Sequence, residues 1–119
     1  MGEVIEINML SNTADLMNEI LGILKKQFGL EQTTCSIRIM DNWHYDNLFE
    51  VDSVDRAKKF IDNKIVTITE SMGNTQIGVS IEKTEQAYVY QFWINPDKEV
   101  LEQEYIMIQD RLVHISGTK

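Results

Sequence analysis

The chain is expected to fold as an α+β domain. The expected form is a two-layer, mostly antiparallel sheet in the order β-α-β-β-α-β-β-β-α, with helices packed on one face. Three observations predict it. Between Ile65 and Ile94, three runs carry apolar side chains at alternate positions, separated by short polar breaks. The break Met72-Gly73-Asn74-Thr75 suits a tight hairpin, because Gly and Asn tolerate positive φ. After the third run, Leu101, Tyr105, Ile108, Leu112 and Ile115 recur at helical spacing and make one apolar stripe.

In chain order, Val4 to Leu10 reads as a strand with Ile5, Ile7 and Met9 on one side. Ser11-Asn12-Thr13 is a cluster of helix-capping residues. From Thr13 to Phe28, the residues Leu16, Ile20, Ile23, Leu24 and Phe28 form a stripe that Met17 and Leu21 broaden. Gly22 interrupts this helix and is expected at a close packing contact. Lys25 and Lys26 complement the end of the helix dipole, and Gly29 suits its termination. Thr33 to Met40 reads as a strand with Cys35, Ile37 and Ile39 in phase, so Cys35 is expected in the core. Asp41-Asn42-Trp43 reads as a turn. His44 to Val51 reads as the next strand, weakened by Asp46-Asn47. Asp52-Ser53 caps a helix running to about Asp62, with Val54, Ala57, Phe60 and Ile61 inward.

The three alternating runs follow. Glu70 breaks the apolar side of the first. Ile77, Val79 and Ile81 define the second. The third, Ala87 to Ile94, is apolar on both parities: Tyr88, Tyr90 and Phe92 share one face and Trp93 takes the other. That pattern places it inside the sheet, or against a partner. Asn95 and Pro96 suit a helix start, and Gly117 its stop. The first six elements have the order of a split βαβ unit.

At 119 residues, with no repeat or linker, residues 1–119 are expected to form one domain. Nineteen acids against eleven bases give a net charge of −8. That balance argues against nucleic acid, whose phosphates require clustered Lys and Arg. It suits solubility, or capture of a partner with a basic surface. Cys35 is the single cysteine, so no disulfide can close within the chain. With no signal-peptide pattern and no apolar run of membrane-spanning length, a cytoplasmic protein with no membrane partner is expected.

The densest polar and aromatic cluster is Asp41-Asn42-Trp43-His44-Tyr45-Asp46. Asp41, His44 and Asp46 offer metal-ligand chemistry, but their spacing matches no metal motif, and a polar turn accounts for them. His114 sits where a helix dipole favours it. Asp46, Glu50, Asp52 and Asp55 make an acidic rim. No nucleophile elbow, phosphate loop or dinucleotide fingerprint is present. The expectation is therefore no catalytic residue, no cofactor and no metal. The chain reads as a protein-protein interaction or regulatory module of inhibitor or immunity type. Its expected interaction surface comprises Trp43, His44, Asp46, Glu50, Asp52, Tyr88, Tyr90 and Trp93. The partner would be another protein or a second copy in a homodimer. The alternative is a small-molecule or metal-binding protein or enzyme, with a pocket between sheet and helices near Trp43 and His44.

Overall fold

Gly73 takes φ +60° at the first central position of its hairpin, the sign that a type II′ turn requires. It joins β4 (Ile65–Met72) to β5 (Thr75–Lys83). A second tight connection, in which the Thr84 amide and hydroxyl both bond the Ala87 carbonyl, leads into β6 (Tyr88–Asn95). This meander is the centre of the molecule. The structure, a computed structural model, describes residues 5–95 and 102–116. The remaining elements are β1 (Ile5–Ser11), α1 (Met17–Phe28), β2 (Thr34–Met40), β3 (Phe49–Val51), α2 (Val54–Lys58) and α3 (Glu102–Ser116).

The six strands form one sheet in the order β1-β6-β5-β4-β2-β3, and each pairing is antiparallel. The element order is the expected one. The split βαβ arrangement is not formed, because β1 pairs with β6 rather than beside β4. Short turns hold β4, β5 and β6 together, so two strands of the meander stand between β1 and β4.

The helices share one face. α1 lies over β5, α3 packs against α1 and β1, and α2 packs against β2 and β3. Ile20 and Leu24 of α1 and Ile108 and Leu112 of α3 are buried with Ile77, Val79, Ile81, Phe92 and Ile94 of the sheet. Leu101, and the side chains of Tyr105 and Ile115, lie outside the described residues, as does the expected helix start at Pro96. Asn95 itself ends β6. Phe49 packs edge-on against Phe60, with ring centroids 5.2 Å apart.

Several local expectations are corrected. Ser11 and Thr13 do not cap α1. Their hydroxyls accept the amides of Thr13 and Asp15 in two successive turns. The helix start is held from the sheet: the Tyr90 hydroxyl accepts the Leu16 amide at 3.3 Å and donates to the Thr13 carbonyl at 2.5 Å. Gly22 faces open space, with nothing within 4 Å of an added Cβ. α2 ends at Lys58 and continues as turns. The strand expected from His44 begins only at Phe49. Cys35 is exposed, because β3 pairs only with Ile37–Ile39 and leaves β2 as the sheet's edge at Cys35. Glu70 is buried on the helix side, where its carboxylate accepts Lys25 Nζ at 3.0 Å and Thr33 Oγ1 at 2.5 Å. An acid thus breaks the apolar alternation where the last turn of α1 meets the sheet. Among the described residues, no helix is long and apolar enough to cross a membrane.

Candidate functional site

Alternation sends half of each strand to the opposite face, where no helix among the described residues packs. Register makes that face orderly. Asn8, Gln91, Ser80, Thr67, Arg38 and Glu50 stand in one row, a polar residue from each of the six strands. The neighbouring row reads Glu6, Trp93, Gly78, Thr69, Ser36.

Two hydroxyls at the centre are buried although no helix covers them. Ser80 is 1% exposed and Thr67 8%, and their oxygens lie 3.0 Å apart in a hydrogen bond. Part of the cover is Trp93, whose indole lies across Gly78 on the adjacent strand. A Cβ at Gly78 would fall inside that ring's contact distance, so this row requires glycine there. The result is a groove of about 260 Å³ lined by Glu6, Arg38, Met40, Trp43, Tyr45, Thr67, Thr69, Ser80, Gln91 and Trp93. Both tryptophans of the chain therefore border one cavity.

Trp43 and Tyr45 reach it from the loop of residues 41–48. Side chains tie this loop. Asn42 Nδ2 donates to Asp46 Oδ2 at 2.8 Å, and its Oδ1 accepts the His44 amide at 2.8 Å. Asp41 accepts Asn47 Nδ2 at 2.7 Å and also Lys64 Nζ, which leads into β4. The Lys64 and then the Asn47 hydrogen bonds hold the Asp41 carboxyl below the usual carboxylate range. Tyr45 and Asn47 both take positive φ, 64° and 53°. Asn adopts that region readily; a bulky ring does so rarely. The loop holds Trp43 at 46% and Tyr45 at 64% exposure.

Acids border this aromatic edge. Glu50 accepts Arg38 Nε and Ser36 Oγ, each at 3.3 Å, and Asp52 pairs with Arg56 at 3.4 Å. These pairs are solvent-exposed and contribute little to stability. Asp46 and Asp55 are exposed as well.

Of the expected surface residues, the structure brings Trp43 and Trp93 to one groove. It places His44, Asp46, Glu50 and Asp52 exposed along the neighbouring edge. Tyr88 and Tyr90 do not belong with them. Their parity puts them on the helix side, where Tyr88 donates to Asp62 and Tyr90 is fully buried. Burial pushes the Tyr90 phenol up to about 12. The expected pocket between sheet and helices is likewise displaced. The groove near Trp43 opens on the other side of the sheet, and His44 is not in its lining. Sequence reasoning passed over Glu6, Arg38, Gly78, Ser80 and the two threonines. Their one signal is being out of phase with the Ile and Val positions of their strands.

Ser80 and Thr67 bond each other, and no histidine lines the groove. The Cys35 thiol is raised by desolvation and by Glu70, the reverse of an activated nucleophile. Among the described residues, no three His, Cys, Asp or Glu side chains are grouped to hold a metal ion. Comparison with protein-family models, curated proteins and solved structures gives no match.

Proposed function

We propose that this chain is a protein-binding module of regulatory, inhibitor or immunity type, and that it docks a basic partner on the helix-free face at the edge carrying residues 41–52. One observation carries this reading: both tryptophans and Tyr45 stand around one groove, presented by a loop fixed through its own side chains. Exposed Trp and Tyr in a pre-ordered frame are what interface centres use, since they bring large contact area at small entropic cost. The groove's volume of about 260 Å³ falls below the roughly 300–1,000 Å³ of ordinary small-molecule sites. It suits one anchoring side chain of a larger partner. The charge of −8 and the exposed acids Asp46, Glu50, Asp52 and Asp55 favour a basic surface opposite. A reducing, cytoplasmic setting accords with the exposed, unpaired Cys35.

The test compares the immobilised protein with a Trp43→Ala, Tyr45→Ala double variant. Trp43 is 46% and Tyr45 64% exposed, so the variant is expected to melt with the wild type. A basic protein from the host that the wild type retains and the variant loses supports the reading. Identical recoveries from two equally folded proteins overturn it.

A further inference from the structure

We infer that the groove is a receptor for a guanidinium group, the side chain of an arginine on the partner. This rests on the reading that a basic protein docks on this face, and it names what enters the groove.

The backbones of β6 and β2 are three strand spacings apart, about 14 Å. Trp93 rises from β6 and lies across Gly78, which covers the first spacing. Trp43 approaches from the loop that follows β2. Between them the floor is made of the Ser80, Thr67 and Thr69 hydroxyls, with the Gln91 amide beside them. Aromatic rings beside hydroxyl and amide oxygens that can accept suit a flat cation, which stacks on rings through its faces and donates in its plane. Glu6, in register with Trp93, supplies a carboxylate at the β1 end.

The opposing charge in the lining is Arg38, whose Nε is bonded to Glu50. An anionic guest would approach Glu6 and the Glu50 carboxylate paired with Arg38, on a protein of net charge −8. A cationic guest meets the acid at one end and a neutralised base at the other. Like charge at Arg38 still weakens its binding, so removing that charge should strengthen it.

Because both tryptophans border the groove, intrinsic fluorescence reports it directly. The titrants are L-argininamide, L-lysinamide, glucose and sodium acetate at constant ionic strength. Argininamide is expected to shift the emission saturably and lysinamide several-fold more weakly. Glucose and acetate are expected to do nothing. Glu6→Gln should weaken argininamide about tenfold, the loss of one charge-assisted bond. Arg38→Gln should tighten it roughly twofold. Both positions are exposed, and equal melting temperatures confirm intact folds. Saturation by acetate or glucose in place of argininamide, weaker binding in Arg38→Gln, or emission indifferent to argininamide each overturns the assignment. If a partner is still captured in a Trp43-dependent way, the guanidinium assignment alone falls. If no such partner is captured either, both fall.

Discussion

Replacing Tyr90 by Phe should cost about 2 kcal/mol, although the ring keeps its place. The Tyr90 ring is fully buried, and Phe fills the same volume. What disappears is one oxygen that serves two backbone groups, the Thr13 carbonyl at 2.5 Å and the Leu16 amide at 3.3 Å. Each group left unpaired in a buried place costs about 1–3 kcal/mol. Thr13 is only half buried, so water recovers part of that loss. The Leu16 bond is long, which places the sum near the lower end. For a domain of this size that means a melting temperature lower by roughly 6–10 °C. The effect has a pH signature. The Tyr90 phenol is raised to about 12 from its ordinary 10, so the folded state favours the protonated form. Its contribution is fully present below pH 10 and declines as pH rises from about 10 towards 12. Urea melts of both proteins at pH 7 and at pH 11 read the gap, which should narrow at the higher pH. A gap below about 0.5 kcal/mol at pH 7, under the usual worth of one hydrogen bond, would refute the claim that this hydroxyl holds the start of α1. So would a gap that does not change with pH.

Other substitutions probe separate parts of the structure. Gly22→Ala places a methyl in open space on an exposed turn of α1, and should stabilise by about 0.5–1 kcal/mol in the same urea melts. Gly78→Ala drives a methyl into the Trp93 indole. The ring must swing away, so the tryptophan emission should shift and partner capture should fall, at a stability cost of about 1–3 kcal/mol. Asp41→Ala cuts the loop of residues 41–48 from Lys64 and Asn47, and amide exchange within the loop should quicken while the core strands stay protected. The lowered Asp41 pKa gives the wild type the same loosening in acid. The loop's hold is present above Asp41's ordinary 3.8 and is lost as pH falls through its depressed value.

How much the sequence reveals depends on the range of the interaction. Ile77, Val79 and Ile81 show their period to any reader, because each neighbour's side is settled by the pleat alone. Ile108 and Leu112 declare their stripe in the same way. The start of α1 is different: three capping residues, Ser11-Asn12-Thr13, point to a local cap, but the group that holds the helix lies 74 residues away. The loop is similar. Asp46-Asn47 hinted that a strand from His44 would fail, but the tie that shapes the loop is Asp41 to Lys64, 23 residues on. The groove depends on register. Trp93 and Gly78 gain meaning only when β5 and β6 are aligned, which places the one glycine able to receive the ring opposite it. Parity separated Tyr90 from Trp93 in the sequence, but only the position of the helices says which of them looks outward.

Stability does not account for the aromatic edge. The core closes on the other face, and Ser80 with Thr67 would satisfy each other without Trp43 or Tyr45. Holding Tyr45 at positive φ costs of order 1–3 kcal/mol, with the ring left largely in solvent. Local conflict that yields no gain in folding is what the proposed docking surface would display. Truncating Trp43 and Tyr45 together should therefore leave the melting temperature unchanged or raise it. A fall of more than about 5 °C, equivalent to more than about 1 kcal/mol in a domain this small, would make these rings part of the fold and leave the groove without its reason.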